Sequence, residues 1–143
     1  LSNGEIQMKK LFIDTNIVID LLSKREPFYK DAAKLFSLAD RKKLRLIVSS
    51  LTFANTNYVL SKLTNPDSSR GVLSKFKVLV KVAELNDKII ELSLNDKSFT
   101  DFDDGLQYYT AIENEADVII TRNLKDFKNS TIPAITSSTY LSR

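Results

Sequence analysis

The sequence predicts an α/β fold: a single-domain α/β/α sandwich with a central, mostly parallel β-sheet. Short apolar runs alternate with longer segments whose apolar residues recur at helical spacing, and this alternation covers the whole chain. No low-complexity run or internal repeat interrupts it. The 143 residues also match the length of one domain that can bury its own core.

The predicted domain occupies residues 8–143. Residues 1–7 (LSNGEIQ) precede the only methionine, Met8, and we interpret them as an expression remnant. They lack the basic start and the apolar centre of a signal peptide. No apolar stretch approaches the roughly 18 residues that a membrane-spanning helix requires. We therefore expect a cytoplasmic protein with no membrane association.

The first part of the chain contains three predicted strands and four predicted helices. The run before Asp14 is short, apolar and rich in strand-forming residues, as expected for a buried parallel strand. Ala32, Leu35 and Phe36 illustrate the helical spacing of apolar residues. The predicted strands are residues 11–13, 44–48 and 78–82. The predicted helices are residues 17–24, 28–39, 52–63 and 69–76.

The second part of the chain continues this alternation. Residues 86–95 and 104–114 are predicted helices, and the run DVIIT at 117–121 is a predicted strand. Residues 122–127 follow as a loop or short helix, and a terminal strand begins at Ile135. Strands separated by helices are typical of a parallel sheet, because the chain must return to the same end of the sheet before each new strand.

The composition excludes several classes of catalytic site. The chain has no cysteine, which rules out disulfide bonds and thiolate zinc sites. It has no histidine, which rules out a Ser-His-Asp relay and a histidine general base. Any catalytic chemistry must therefore use carboxylates, amines, hydroxyls or amides. If a metal ion takes part, oxygen ligands select a hard ion, Mg²⁺ or Mn²⁺.

Acidic and amide residues follow two predicted strands at their carboxyl ends. Asp14 ends the first strand, while Asn123 and Asp126 follow the DVIIT strand by two and five residues. In a parallel sheet, the crevice beyond the carboxyl ends of the strands is the usual ligand site. We expect these side chains to converge there if the two strands are neighbours. Taken singly, Asp14 is also compatible with a turn, and Asp126 with a solvated loop.

Two further acids lie at the start of the predicted helix 104–114. Asp101 and Asp104 are three residues apart and share one helix face, whereas Asp103 is expected to point elsewhere. Capping of the helix N-terminus would also explain the pair. Carboxylates held about 4–6 Å apart repel each other unless a cation lies between them. Convergence of this pair with Asp14 would therefore indicate a site for Mg²⁺ or Mn²⁺.

Three blocks of the sequence together carry a family resemblance. They are residues 9–16 (KKLFIDTN), residues 101–111 (DFDDGLQYYTA) and residues 116–127 (ADVIITRNLKDF). The first resembles the opening strand and metal-binding Asp of PIN-domain nucleases. The second is similar to the Asp-led helix of that family, and the third to its strand with a TRNxxDF motif. The pattern extends over residues 8–141 and resembles bacterial PIN proteins of the VapC toxin type most.

The resemblance implies a role for each residue at a family position. Asp14 and Asp104 would bind a metal ion together with Asn123. Asp101 and Asp126 would be accessory catalytic acids. The supporting residues, which would orient the acids or contact phosphate oxygens, are Thr15, Asn16, Ser50, Asn55 and Thr121. The implied reaction is metal-assisted hydrolysis of RNA phosphodiester bonds, which leaves a 5′-phosphate and a 3′-hydroxyl.

Two amides depart from the family pattern. The helix after the second strand commonly carries a Glu in the family, and Asn55 occupies that position here. Asn123 likewise stands where many relatives have Asp. An amide can ligate a metal ion through its carbonyl oxygen, but it supplies no negative charge and no general base. Weaker metal binding, one-metal chemistry or a loss of turnover would follow.

Basic residues near the proposed site indicate contacts with RNA. The net charge of +3 is mild, so charge alone favours a polyanionic partner only weakly. Arg122 and Lys125 lie in the last motif, where they could neutralise substrate phosphates, although a solvated surface would explain them equally well. The resemblance also implies an antitoxin protein that covers the active site, and a homodimer.

Three hypotheses remain open from the sequence. The first is a ribonuclease that is the toxin of a toxin–antitoxin pair. The second is a protein of the same fold that has lost turnover and binds RNA or a protein partner, which Asn55 and Asn123 favour. The third is an unrelated α/β module, such as a phosphate-binding or receiver-like domain, in which an acid at a strand end also binds magnesium. The lack of a convincing Lys-bearing strand argues against a receiver.

Overall fold

The protein is built around a five-stranded sheet. The computed structural model describes residues 8–143, and the predicted expression remnant, residues 1–7, lies outside them. The strands are β1 (Lys10–Ile13), β2 (Arg45–Ser49), β3 (Lys81–Ala83), β4 (Val118–Ile120) and β5 (Ala134–Ile135). Their order is β3-β2-β1-β4-β5, and all four pairings are parallel. The predicted α/β fold is confirmed.

Six α-helices and one 3-10 helix connect these strands within residues 8–143, and a seventh α-helix follows β5. The α-helices are α1 (Thr15–Leu22), α2 (Tyr29–Asp40), α3 (Ser50–Leu63), α4 (Pro66–Lys77), α5 (Asp87–Asn95), α6 (Phe102–Glu113) and α7 (Ser137–Leu141). The 3-10 helix spans Leu124–Phe127 and follows β4. None of the helices in the described range is long and apolar enough to cross a bilayer.

The sheet separates two hydrophobic cores, because successive strand residues point to opposite faces. On one face, Leu11 and Ile13 of β1 pack with residues of α1, α2, α4 and α7. On the other face, Phe12 packs with residues of α6 and with Phe127 of the 3-10 helix. Leu11, Phe12 and Ile13 are fully buried, as expected for the central strand of a parallel sheet. The arrangement is the predicted α/β/α sandwich.

Strands β1 and β4 are neighbours, although most of the chain lies between them. Ile13 lies opposite Ile120, and the strand order changes direction between these two strands. A crevice opens beyond the carboxyl ends of parallel strands at such a switch point. The residues that follow the two strands, Asp14 and Thr121, therefore lie side by side.

Two predicted strands differ from the structure. β3 begins at Lys81 rather than at residue 78, because residues 78–80 extend the end of α4 through hydrogen bonds to carbonyl oxygens three residues earlier. The predicted terminal strand is limited to the two residues of β5. It ends there because Thr136 Oγ1 accepts the backbone N–H of Thr139 at 3.1 Å and caps α7.

Candidate active site

Asp14 lies at the carboxyl end of β1 and is 7% exposed. Its backbone N–H donates to the carbonyl oxygen of Ile120 at 3.0 Å. Its Oδ1 caps α1 by accepting the backbone N–H of Thr15 at 2.8 Å. Thr121 Oγ1 donates to Asp14 Oδ2 at 2.7 Å, and Gln107 Nε2 donates to Oδ1 at 3.2 Å. Three uncharged donors therefore fix the orientation of this carboxylate.

Gln107 of α6 links Asp14 to two threonines. Its Nε2 lies 3.2 Å from Thr15 Oγ1 and 3.4 Å from Thr52 Oγ1, and the two hydroxyl oxygens are 2.9 Å apart. The sequence prediction omits both Gln107 and Thr52. A signal for Gln107 exists, because it follows Asp104 by three residues and shares its helix face. Thr52 has no comparable signal, because its place at the site depends on how α3 packs against α1.

Asp101 and Asp104 stand at the start of α6. The helix begins at Phe102, two residues earlier than predicted, because Asp101 is its N-cap and accepts the backbone N–H of Asp103 at 2.9 Å. The capping alternative is therefore confirmed for Asp101, which is exposed. Asp104 lies one turn further along the chain and is partly buried. Its carboxylate is free of the cap and is available to a ligand.

Both principal carboxyls have pKa values above the ordinary range. Burial raises the pKa of Asp104 to about 7, and repulsion by Asp126, Asp101 and Asp14 adds to the shift. Burial also raises the pKa of Asp14, although its hydrogen bonds partly offset this effect. The charge of Asp126 raises the pKa of Asp14 further. The acids are thus close enough to repel one another, and a bound cation would relieve that repulsion.

A cleft of about 290 Å³ brings most of the predicted site residues together. Its lining consists of Asp14, Thr15, Asn16, Ile19, Leu51, Asn55, Asp101, Asp103, Asp104, Gln107 and Asn123. The expectation that Asp103 points elsewhere is wrong, because the cleft extends along the first turn of α6 and includes it. Asp103 also contributes to the raised pKa of Asp104.

A second cleft of about 270 Å³ shares Asp101 and Asp104 with the first. Asp126 and Lys125, which the sequence places in the site, line this second cleft. Lys128 lies there as well. The predicted acids therefore surround Asp104, and lysines stand beside them where a phosphate would need a positive charge.

Ser50 does not line either cleft. It is exposed at the start of α3, and the neighbouring Ser49 is the buried residue. Ser49 ends β2 and caps α3, since its Oγ accepts the backbone N–H of Leu51 at 3.1 Å. The strand passes directly into the helix, and this leaves the hydroxyl of Ser50 away from the acids.

Arg122 is the second residue that the structure places elsewhere. Its Nε and Nη2 donate to Asp20 at 2.7 and 3.2 Å, and its guanidinium carbon lies 3.9 Å from the centre of the Phe28 ring. Asp20 is fully buried on α1 and was not predicted. This ion pair holds Arg122 against Asp20 and outside the two acidic clefts, so its contact with a substrate phosphate stays a prediction.

The residues of the cleft suit a hard divalent cation. Two carboxylates, Asp14 and Asp104, face it, and the amide oxygens Asn16 Oδ1 and Gln107 Oε1 are buried without a hydrogen-bond partner. Buried acceptors of this kind are normally satisfied, so a cation or its bound water would supply the missing partner. No group of three His, Cys, Asp or Glu residues within residues 8–143 has metal-binding geometry. The oxygen atoms that line the cleft, from carboxylates and amides, are of the kind that binds hard divalent cations.

Comparisons with known proteins agree with this geometry. The sequence profile of the PIN domain matches residues 10–125. The chain is also 30% identical over 142 residues to Ribonuclease VapC1 of Aquifex aeolicus (strain VF5), and the match covers 94% of this chain and 95% of that protein.

Solved structures with the same fold come from toxin–antitoxin complexes. A Klebsiella pneumoniae toxin–antitoxin complex contains a chain with 25% identity and a TM-score of 0.67, and the match covers 89% of this chain and 97% of that one. VapBC2 of Rickettsia felis, bound to a DNA fragment from its promoter, gives 21% identity and a TM-score of 0.67, with 88% and 96% covered.

Proposed function

Because this chain belongs to the PIN domain family, we infer that it is a ribonuclease of the toxin type, and we propose that its activity depends on Mg²⁺ or Mn²⁺. The observation that carries the proposal is the shared cleft of Asp14 and Asp104 at the switch point of the sheet. Two carboxylates that repel each other, beside buried oxygens without partners, form a site that a cation would complete.

The cation would be held by Asp14 and Asp104, with amide oxygens from Asn16, Gln107 or Asn123. When bound, it would polarise the phosphoryl group, activate a water molecule and neutralise charge on the leaving oxygen. The water oxygen would join phosphorus while the bond from phosphorus to the 3′ oxygen breaks. The products would then be a 5′-phosphate and a 3′-hydroxyl.

The residues of the chain have distinct tasks in this reaction. Thr121 and Gln107 hold the Asp14 carboxylate in one orientation, so little reorganisation is needed when the cation binds. Asp101 and Asp126 add negative charge around Asp104. Lys125 would contact a substrate phosphate from the second cleft.

A second candidate function is a binder without turnover. Asn55 and Asn123 line the cleft as amides, and no three acidic residues within residues 8–143 are placed so that they could hold a metal ion together. Such a site binds a cation less tightly, because amides add no negative charge. A protein of this kind would still bind RNA or a protein partner through the same surface.

We also propose an antitoxin partner, self-association as a homodimer and a cytoplasmic location. Support for the antitoxin comes from the toxin–antitoxin complexes among the similar structures. An antitoxin that covers the acidic cleft would explain how a cell tolerates the enzyme. The family resemblance supports the homodimer. The proposed RNA substrate supports the cytoplasmic location.

Cleavage of end-labelled single-stranded RNA with Mg²⁺ or Mn²⁺ tests the proposal. The variants are Asp14→Asn and, as a matched control, Asp40→Asn, which removes an exposed acid of α2. Loss of residues that only support a metal ligand lowers activity about 10- to 100-fold, so loss of Asp14 should reduce it by about 100-fold or more. Asp40→Asn should cut like the wild type.

Cleavage that persists in Asp14→Asn would contradict the role of Asp14. If the pure wild-type protein binds RNA but cuts it with neither ion, the function without turnover is correct instead. Chelation of the metal should stop cleavage, and added Mg²⁺ or Mn²⁺ should restore it.

A further inference from the structure

A pocket of about 510 Å³ lies on the other side of α1 from the active cleft. We call it the Phe28 pocket, and it is formed mainly by Asp20, Phe28, Asp31, Arg122 and Ser137. None of these residues lines the active cleft. Its volume falls within the range of pockets that bind small organic groups.

One wall of the Phe28 pocket is flat and rich in π electrons. The guanidinium of Arg122 stacks on the Phe28 ring, with 3.9 Å between the guanidinium carbon and the ring centre. Asp20 holds that guanidinium through two hydrogen bonds, so its plane is fixed before any ligand arrives. Phe28 is 38% exposed, so part of its ring remains accessible to a ligand. Aromatic rings and arginine planes are the surfaces on which proteins stack unpaired bases.

The opposite parts of the pocket offer polar groups. Ser137 is 6% exposed, and its Oγ has no hydrogen-bond partner in the structure. Asp31 also lines the pocket and belongs to none of the ion pairs of residues 8–143. A carboxylate can accept a hydrogen bond from an exocyclic amine or ring N–H of a base, and a hydroxyl can donate or accept one.

The charge of the pocket selects against a charged ligand. Asp20 is fully buried and neutralises Arg122, so the guanidinium is not free to bind a phosphate. The remaining carboxylate of Asp31 would repel an anion. A flat, uncharged group with polar edges suits these walls, and a nucleobase has those properties.

The Phe28 pocket adjoins the active cleft along the chain. Arg122 of the pocket follows Thr121, which bonds to Asp14, and precedes Asn123, which lines the cleft. The backbone passes from the pocket to the cleft within residues 121–123, so a base in the pocket and a phosphate at the acids can belong to the same RNA strand. Helix α1 lies between the two sites and contributes lining residues to both of them.

We propose that the Phe28 pocket is a subsite that binds one base of the RNA next to the scissile phosphate and selects its identity. This proposal rests on the proposed ribonuclease function. In the bound state the base stacks on the Phe28 ring, which stays 38% exposed although Arg122 stacks on it. Ser137 and Asp31 contact its polar edge, so they discriminate between bases.

The first test measures binding in the absence of catalysis. Isotope-labelled wild-type protein without metal is titrated with adenosine, guanosine, cytidine and uridine, which carry no phosphate. Saturable shifts of the amide signals of Phe28, Asp31 and Ser137 are expected, with one nucleoside binding most tightly. Phe28→Ala should remove these shifts, whereas Tyr58→Ala, which deletes an exposed aromatic ring of α3, should retain them.

The second test measures cleavage of short RNAs that differ at a single base beside the cut. Deletion of a stacking side chain costs about 1–3 kcal/mol, so Phe28→Ala should raise KM by about 5- to 150-fold with little change in kcat. Asp31→Asn and Ser137→Ala alter only polar groups and should change the base preference while the thermal midpoint stays close to the wild type. These two variants keep the test decisive if Phe28→Ala unfolds.

The outcomes separate the two proposals. Nucleoside binding without cleavage by the wild type would remove the ribonuclease function but keep the pocket as a base-binding site. Cleavage with wild-type KM and base preference in all three pocket variants would overturn the subsite. Shifts caused by N-acetyl-tryptophanamide but by no nucleoside would also overturn it, because the pocket would then accept a protein side chain.

Discussion

Asp14 and Asp20 are both buried carboxylates, one at the N-cap of α1 and one within it, but the groups that donate hydrogen bonds to them differ in charge. Asp14 receives hydrogen bonds only from uncharged groups: a backbone N–H, a hydroxyl and an amide. Asp20 receives two hydrogen bonds from the guanidinium of Arg122, and Arg25 lies 3.7 Å away. One carboxylate is oriented, and the other is neutralised.

This difference separates a ligand site from a structural ion pair. A buried charge is costly unless an opposite charge compensates it. The protein supplies that charge at Asp20, so this residue has no need of a ligand. At Asp14 the hydrogen bonds leave the charge uncompensated, and burial raises its pKa. The cation that we propose for this site would compensate the charge of Asp14.

The largest expected effect is a difference in folding stability between variants of Asp20 and Asp14. Asp20→Asn should lower the free energy of unfolding by about 3 kcal/mol, because the guanidinium of Arg122 loses its buried partner. Asp14→Asn should change the stability of the metal-free protein by less than about 1 kcal/mol, because it removes a charge that nothing compensates. Urea unfolding in a chelator measures both values. Equal destabilisation by the two variants would contradict the comparison.

The next effect concerns the amide that orients Asp14. Gln107→Met keeps the volume of the side chain but removes its hydrogen bond to Asp14, and it also removes a buried oxygen of the cleft. Mn²⁺ affinity and RNA cleavage should fall about 10- to 100-fold, as for other residues that position metal ligands. Asn95→Met, an exposed amide of α5, is the control for calorimetric titration. Unchanged Mn²⁺ affinity would show that Gln107 is only structural.

A smaller effect is the pH dependence of stability without metal. Burial and the neighbouring acids raise the pKa of Asp104 to about 7 in the folded protein, from an ordinary value of 3.8. Between these values the folded protein retains a proton that the unfolded chain has released, so stability should fall as the pH rises through this window and level off above it. In Asp104→Asn the thermal midpoint should change less between pH 4 and pH 7 than it does in the wild type. The difference should correspond to roughly the contribution of this one titrating group. Excess Mg²⁺ should raise the midpoint most above pH 7, and an unchanged slope in the variant would refute this explanation.

The smallest expected effect comes from an added carboxylate. Asn55 lines the cleft but is exposed, so Asn55→Glu should tighten Mn²⁺ binding by no more than about 5-fold, the range of an exposed charge pair. Asn55→Gln is the matched control, because it lengthens the side chain without adding charge. Equal affinities of the two variants would mean that position 55 does not reach the cation.

The sequence predicts those parts of the fold that depend on local pattern. The apolar run before Asp14 and the DVIIT run are β1 and β4, because buried parallel strands need such runs wherever they occur. β3 begins later than predicted, because Val78, Leu79 and Val80 extend the end of α4 instead. There the hydrogen bonds of the backbone override the strand preference of the side chains.

The site is predictable only in part, for a physical reason. Asp14, Asp104 and Asn123 could be placed together because strand ends and helix faces follow simple geometry. The partner of Arg122 could not be found, because Asp20 is separated from it by 102 residues and meets it only when α1 packs beside the end of β4. Sequence proximity to the acids suggested a role in binding phosphate, but the structure shows Arg122 paired with Asp20.

The pairing of β1 with β4 also affects how the enzyme is made. Asp14 and the hydroxyl of Thr121 that orients it are 107 residues apart. While the ribosome is still synthesising the chain, β1 lacks one neighbour and its carboxylate lacks this donor until the segment after Val118 has emerged. The proposed site is therefore incomplete in a nascent chain until β4 and Thr121 can pair with β1 and Asp14.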